Sequence, residues 1–182
     1  MSLIKSDKST RPLEKGDVFH IVAASSPINR KEDLSSGIKV LEEWGLICNK
    51  IDCIDRYWGY LAGNDEVRFK ELHPENLSPL LIFARGGWGS ARLLERVQPW
   101  KKGWLIGYSD LTSILLARLA SGFHGGVHGP LLTTLGNEPD WSKNRLKSIL
   151  FGNSIPDIYG DPWGGGVSEG HLIVGNLTVM TH

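Results

Sequence analysis

Residues 80–112 read LLIFARGGWGSARLLERVQPWKKGWLIGYSDLT, and this stretch contains two successive strand–turn–helix units. Each unit starts with a short apolar run, Leu80 to Ala84 in the first and Trp104 to Gly107 in the second. A short apolar run that ends in turn residues is typical of a strand buried on both faces of a parallel sheet. The stretch therefore predicts parallel strands connected by helices.

The same alternation continues on both sides of this stretch. Further strands are expected at Val18 to Ala24, at Leu46 to Asn49 and around Val127, and helices over Leu34 to Trp44, Asn64 to Leu72, Ser90 to Val97, Asp110 to Ala120 and Asp140 to Leu150. This pattern predicts an α/β fold of three layers, in which a mostly parallel sheet carries helices on both faces. Chemistry in such folds lies at the carboxyl ends of strands, which directs attention to the turns after Ala24, Ala84 and Gly107.

Three segments are expected along the chain. Residues 1–12 are polar and predicted to be disordered, and residues 13–155 form the α/β domain. Residues 156–182 are interpreted as a linker and the start of a C-terminal domain, because Gly152 to Gly170 is rich in glycine and proline. New ordered structure is expected from His171 onwards.

Composition excludes several functional classes. The 20 Lys and Arg residues balance 20 Asp and Glu residues, which argues against nucleic acid or an anionic membrane as a partner. The apolar runs are too short to span a bilayer, and Met1 to Gly16 lacks the apolar centre of a signal peptide, so a cytoplasmic location is expected. Cys48 and Cys53 are expected to be reduced thiols, and no metal site is predicted.

The turn at Ser109 is the first candidate site. Gly107-Tyr108-Ser109-Asp110-Leu111-Thr112 lies between a predicted strand and a predicted helix, where a nucleophile elbow would present a serine hydroxyl above the sheet. The N–H of Asp110 and the positive end of the helix would stabilise an oxyanion there. The Gly-x-Ser-x-Gly pattern is incomplete because Leu111 replaces the second glycine, and a helix cap remains the alternative interpretation.

The glycine-rich turn from Arg85 to Ser90 is the second candidate. Its sequence fits neither the dinucleotide fingerprint nor the Walker pattern. Ser90 could be a nucleophile, or the turn could supply N–H groups to chemistry at Ser109, or it could be purely structural.

Taken together, these segments resemble the LD-carboxypeptidase family, also called muramoyltetrapeptide carboxypeptidases, whose relatives include microcin C immunity proteins. The resemblance spans about residues 13–180. It is carried, in order, by Gly16-Asp17, Ala24-Ser25-Ser26-Pro27, Tyr60 to Arg68, Arg85 to Leu94 (with Trp88 where tyrosine is usual), Gly107 to Thr112, His128-Gly129-Pro130, Glu169 to Leu172 and Gly175 to Leu177.

The resemblance implies a flavodoxin-like fold, similar to the N-terminal part of class I glutamine amidotransferases, and a hydrolase that needs no metal or cofactor. It implies that Ser109 is the nucleophile and that the N–H groups of Asp110 and of the Gly86-Gly87 turn, that of Gly87 in particular, form the oxyanion hole. The expected substrate is a peptidoglycan tetrapeptide that loses its terminal D-Ala.

Three further residues of the glycine turn are expected to bind substrate. Arg85 would pair with a substrate carboxylate or with a local group, and Trp88 would wall the cleft or pack internally. Ser90 completes the expected substrate-binding set.

The departures from the family pattern concern the catalytic triad of Ser, Glu and His, of which Ser109 would supply only the serine. In the family, its Glu and His follow the Gly-Asn-Leu segment, where this sequence stops, and Val174 stands where glycine is usual. His124 and His128 are poor substitutes because the glycines between them leave their geometry undefined. We therefore expect these 182 residues to be inactive alone and to expose apolar residues around Trp163, Leu172, Ile173 and Leu177.

Other functions remain open at this point. A microcin C immunity-type peptidase would share the elbow and differ in its substrate. A non-catalytic α/β module could bind an anion at the glycine turn, and a degenerate product would have no function. The partner is expected to be a small peptide, with no nucleic acid or membrane, and a homodimer is allowed.

Overall fold

The computed structural model describes residues 10–161, 163–170 and 172–181. Its strands are Val18–Val22 (β1), Ile47–Cys48 (β2), Leu80–Phe83 (β3), Trp104–Gly107 (β4) and Gly126–His128 (β5). Its α-helices are Lys31–Glu43 (α1), Asp65–Leu72 (α2), Thr112–Ala120 (α3), Leu132–Leu135 (α4), Asp140–Leu150 (α5) and Leu177–Met180 (α6). Two 3₁₀ helices span Ala91–Glu95 and Ser109–Leu111.

The strands form one parallel sheet in the order β2-β1-β3-β4-β5. This order is the one found in flavodoxin-like sheets, and it confirms the α/β fold expected from the sequence. Because all strands run the same way, the segments after β1, β3 and β4 come together at one edge.

Helices cover both faces of the sheet because the strand side chains alternate. Phe19 and Ile21 pack with buried residues of α1, α4 and α5, whereas Val22 and Phe83 pack with those of α2, α3 and the first 3₁₀ helix. Both cores consist largely of Leu and Ile with little or no exposed surface. Two packed cores hold the carboxyl ends of the strands in fixed positions.

Two helix predictions differ from the structure. Ser90 does not cap an α-helix: only the short 3₁₀ helix Ala91–Glu95 follows it, and Val97 is 91% exposed. The Ser90 side chain accepts no capping hydrogen bond, and its hydroxyl donates to the Asp110 carbonyl at 2.7 Å. The next helix starts as 3₁₀, and Leu119 is 43% exposed rather than inward-facing.

The two ends of the described chain differ in their contacts. Residues 1–9 lie outside the described residues, and the Thr10 hydroxyl donates to the His124 carbonyl at 3.1 Å. Residues 153–161 have no helix or strand, and His171, where new structure was expected, lies outside the described residues. The tail reaches the domain where the Asn176 N–H donates to the Thr112 hydroxyl at 3.0 Å.

The apolar residues expected to be exposed in the tail are exposed. The exposed fractions are 108% for Trp163, 89% for Leu172, 56% for Ile173 and 76% for Leu177. In the part of the chain that the structure describes, no helix combines the length and the apolar character that crossing a membrane requires.

Candidate active site

Ser109 lies in the turn between β4 and α3, in a strained backbone conformation. Its φ angle is +65°, a left-handed value that costs a non-glycine residue about 1–2 kcal/mol. Such strain persists only where the surrounding structure enforces it, and it is concentrated at functional sites. The tight turn expected from the sequence is therefore present, and it is followed by the 3₁₀ helix that leads into α3.

The Ser109 side chain faces an open cavity of about 230 Å³ at the carboxyl edge of the sheet. The cavity is lined by Arg85, Gly86, Gly87, Tyr108, Ser109, Leu131, Thr133 and Thr134. This lining joins the two candidate turns, which are 20 residues apart in sequence, at one place. Ser109 is half-buried and borders this cavity, so it is not part of either packed core.

The glycine turn touches Ser109 directly. A Cβ atom built on Gly86 would lie 3.1 Å from the Ser109 Cβ and 3.3 Å from its Oγ, so even an alanine would crowd the hydroxyl. Gly87 has a φ of +123°, and a Cβ there would lie 2.2 Å from the Ser26 Oγ. Gly87 is required by close approach and by its backbone conformation, and Gly86 leaves room for a side chain only if Ser109 shifts.

Two backbone N–H groups are available beside the hydroxyl. Among the described residues, no hydrogen-bond acceptor is found for the Gly87 N–H, which borders the cavity. The Asp110 N–H lies in the first turn of the 3₁₀ helix, where N–H groups have no partner within the helix. Unpaired N–H groups next to a serine hydroxyl form an arrangement that can bind an oxyanion.

The Asp110 carboxylate lies beneath this turn and is only 9% exposed. Its Oδ2 accepts hydrogen bonds from the Ser25 hydroxyl at 2.6 Å and from the Ser90 N–H at 2.9 Å. One oxygen therefore joins the segments that follow β1, β3 and β4. The sequence pointed only to the N–H of Asp110, and no motif in it indicates that the carboxylate joins these three segments.

The three residues expected to bind substrate are placed differently from one another. Arg85 borders the cavity, and its Nη1 donates to the Pro27 carbonyl at 2.7 Å and to the Asn29 Oδ1 at 3.1 Å. Trp88 is 72% exposed and is not packed internally. Ser90 is fully buried, so its side chain does not reach the cavity.

Thr133 and Thr134 line the cavity, and sequence analysis did not select them. The Thr133 hydroxyl donates to the Ala84 carbonyl at 2.8 Å, and the Thr134 hydroxyl donates to the Leu131 carbonyl at 3.1 Å. Their oxygen lone pairs remain available to N–H donors of a ligand. Their only sequence signal is their position shortly after the His128-Gly129-Pro130 segment.

No base for Ser109 is found among the described residues. No histidine or carboxylate there hydrogen-bonds to its hydroxyl, and His128, at the end of β5, does not border the cavity. Burial lowers the pKa of His128, whose Nε2 has no partner within the described chain. The described residues also contain no group of side chains suited to hold a metal ion.

Comparison with known proteins links this geometry to a family. Residues 19–129 match the family model described as the LD-carboxypeptidase N-terminal domain. A putative carboxypeptidase of Synechocystis is 39% identical over 188 residues, covering 100% of this chain and 62% of the relative. A probable murein peptide carboxypeptidase of Bacillus subtilis is 30% identical over 190 residues, covering 94% and 58%. The chain thus spans less than two thirds of these relatives.

Solved structures share the fold. The microcin C7 self immunity protein MccF in complex with glutamyl sulfamoyl guanosine superposes with a TM-score of 0.66 at 22% identity, covering 78% of this chain and 46% of MccF. A muramoyltetrapeptide carboxypeptidase from Oxalobacter formigenes superposes with a TM-score of 0.62 at 23% identity, covering 72% and 47%. At this level of identity the similarity concerns the fold alone.

Proposed function

The chain belongs to the LD-carboxypeptidase family through its match to the N-terminal domain, and we propose from this that it carries the nucleophile of a serine LD-carboxypeptidase. The proposed reaction removes the terminal D-Ala from peptidoglycan-derived tetrapeptides. The observation that supports it best is the strained Ser109 turn, whose hydroxyl lies against the Gly86-Gly87 turn at an open cavity.

The proposed chemistry is acyl transfer in two steps. The Ser109 Oγ attacks the carbonyl carbon before the terminal D-Ala, and its proton passes through a base to the departing amino group. The N–H groups of Asp110 and Gly87 hold the negative oxygen of the tetrahedral intermediate, with help from the positive end of the helix that follows. Water then hydrolyses the Ser109 ester, which releases the tripeptide acid and restores the hydroxyl.

The cavity suits the end of a peptide. Its volume of about 230 Å³ is below the range of about 300–1,000 Å³ that is usual for drug-sized ligands, so it would take a terminal residue and not a whole tetrapeptide. We assign the remaining N–H groups of Arg85 to the substrate carboxylate and Trp88 to the outer wall. Ser90, being buried, serves in this proposal to hold Asp110 in place.

The assay that tests the proposal measures D-Ala released from L-Ala-D-Glu-meso-diaminopimelate-D-Ala by the protein in the longest form that its gene encodes. A matched peptide that ends in L-Ala serves as the control. Release of D-Ala alone supports the proposal, and equal turnover of both peptides or of neither contradicts it.

The second candidate is a microcin C immunity-type peptidase. It is favoured by the fold shared with MccF, which has been solved with glutamyl sulfamoyl guanosine. Parallel assays with an aminoacyl sulfamoyl nucleoside and with the tetrapeptide separate the two candidates. Cleavage of the nucleoside conjugate at the higher kcat/KM would replace the first proposal with the second.

The proposal places the reaction in the cytoplasm, in the recycling of peptidoglycan peptides. Cys48 and Cys53 are both free in the structure, which fits a reducing compartment. A homodimer also remains part of the proposal, and light scattering would test it.

The 182-residue chain alone is expected to release D-Ala at less than about 10⁻³ of the rate of a protein with a complete triad. The reason is that no base for the Ser109 hydroxyl is found among the described residues. A coupled D-Ala assay on this polypeptide, with Ser109→Ala as the blank, measures this. Serine-dependent turnover near the rate of complete enzymes would show that a base is present after all.

Replacing Gly87 with alanine is expected to lower kcat/KM for D-Ala release about 100-fold, the size of effect seen when one oxyanion donor is lost. The new Cβ would clash with the Ser26 Oγ and displace the Gly87 N–H. Gly16→Ala is the matched control, because Gly16 also has a positive φ, of +92°, but has open space around it. Equal kcat/KM for the two variants would contradict the assignment of the Gly87 N–H.

A further inference from the structure

We propose that the Asp110 carboxylate is a positioning residue that fixes the geometry of the oxyanion hole, an inference that rests on the proposed function. It does so by holding the Ser25 hydroxyl and the Ser90 N–H on one oxygen, Oδ2. In this role the side chain does not touch the substrate. It acts through the two neighbouring turns, in addition to the role proposed above for the backbone N–H of the same residue.

Asp110 is connected directly to the end of the glycine turn. Ser90 closes that turn, and it binds Asp110 at two points: its N–H donates to the carboxylate at 2.9 Å and its hydroxyl donates to the carbonyl at 2.7 Å. Ser90 and Asp110, which carry these four groups, are both buried. The end of the glycine turn is therefore held at a fixed distance from the residue that follows Ser109.

The segment after β1 also connects the Asp110 carboxylate to the glycine turn. The Ser25 hydroxyl binds the carboxylate at 2.6 Å, and its neighbour Ser26 binds the glycine turn on both sides. The Ser26 N–H donates to the Gly86 carbonyl at 3.3 Å, and the Trp88 N–H donates to the Ser26 Oγ at 3.3 Å. Gly86 and Gly87 are thus held from one side through Ser90 and from the other through Ser26.

The backbone conformation of Ser109 also depends on its neighbours. Its φ of +65° is unfavourable, so the flanking residues must impose it. Asp110 is the adjacent residue, and its side chain is attached to two other strand ends. Loss of the carboxylate would let the Ser109 turn relax and would also free the glycine turn that touches its hydroxyl.

The choice of substitutions follows from this geometry. Asp110→Ala removes the acceptor and leaves the buried Ser90 N–H without a partner, whereas Asp110→Asn keeps one oxygen that can accept both hydrogen bonds. Ser25→Ala removes one of the two bonds with little change in volume. Glu71→Ala is the matched control, because Glu71 is another carboxylate bound beside the end of β1, through the Ala23 N–H at 2.9 Å. Its other hydrogen-bond partner is Arg56, and within the described chain it hydrogen-bonds to neither turn.

The experiment measures kcat, KM and thermal midpoint for these variants in the longest form of the protein that its gene encodes. We expect Asp110→Ala to lower kcat about 100-fold with KM changed less than about threefold, and Asp110→Asn to stay within about tenfold of the wild type. Ser25→Ala should lie between them. Glu71→Ala should lower the thermal midpoint as Asp110→Ala does and leave kcat near the wild-type value.

Three results would overturn the inference. They are a folded Asp110→Ala protein with wild-type kcat, an Asp110→Asn protein as impaired as Asp110→Ala, or a Glu71→Ala protein with the same loss of kcat. If the Asp110→Ala protein does not fold, the Ser25→Ala protein provides the test. A lower kcat at unchanged KM supports the inference, and an unchanged kcat contradicts it. A Ser109→Ala protein that keeps full activity would instead refute the proposed function, which separates the two failures.

Discussion

Ser109→Ala is expected to lower kcat/KM for D-Ala release by about 10⁴-fold or more, because the hydroxyl forms the bond that replaces the scissile amide. Only binding and oxyanion stabilisation would remain. The measurement is a steady-state D-Ala assay on the tetrapeptide with the protein in the longest form that its gene encodes. The thermal midpoint should change little, since alanine has almost the same backbone preferences and the side chain is not in the core.

Ser35→Ala provides the matched control for Ser109→Ala. Ser35 lies on α1, and its hydroxyl donates only to the Lys31 carbonyl, at 3.0 Å, so full activity is expected. Activity of Ser109→Ala within tenfold of the wild type would exclude Ser109 as the nucleophile. The next nucleophile to test would be Ser113, whose hydroxyl lies 2.9 Å from that of Ser90.

Arg68→Met is expected to lower the free energy of unfolding by about 2–4 kcal/mol, because two main-chain carbonyl groups would lose their side-chain donor. The Arg68 side chain is fully buried. Its Nη1 donates to the Ala24 carbonyl and, at 2.9 Å, to the Gly89 carbonyl, so it links the end of β1 to the glycine turn. Methionine would leave the buried Ala24 carbonyl and the half-buried Gly89 carbonyl without this donor.

Urea denaturation followed by circular dichroism measures this effect, and Arg92→Met is its control. The Arg68 Nη2 also donates to the Asp65 Oδ1. Arg92 binds the other oxygen of that carboxylate, Oδ2, at 2.8 Å, but its side chain is 44% exposed. The control should therefore change stability only slightly, since exposed ion pairs contribute little. Similar losses in the two variants would show that the Asp65 ion pair, and not the buried carbonyl contacts, accounts for the role of Arg68.

The sequence was sufficient for β1, β3 and β4 because each lies in a short apolar run that ends in turn residues. Trp104–Gly107 and Asp140–Leu150 have in the structure the bounds expected for them. The Ser109 turn was predictable only with the family resemblance, since the incomplete Gly-x-Ser-x-Gly pattern by itself left a helix cap as the alternative. Its contact with the glycine turn was one of three alternatives left open, and only the family resemblance favoured it, because sequence spacing does not reveal which turns meet at a sheet edge.

Other features depend on tertiary contacts that no local pattern encodes. Ser90 precedes a helical pattern and so resembles a cap, but Asp110, 20 residues later, uses both its N–H and its hydroxyl. Arg68 is a charged residue, so its type gives no sign that its side chain is fully buried in α2. Thr133 and Thr134 carry no motif, so their place at the cavity follows from the packing of α4 on the sheet.

The left-handed backbone at Ser109 has a consequence for how this protein can be improved. Glycine would relieve the conformational penalty there, so substitutions chosen only for heat resistance would favour a more robust protein that has lost its reactive group. Thermal stability and the proposed catalytic role thus favour different residues at position 109. Substitutions intended to raise thermal stability should therefore avoid this turn and be placed at surface positions away from the carboxyl edge of the sheet.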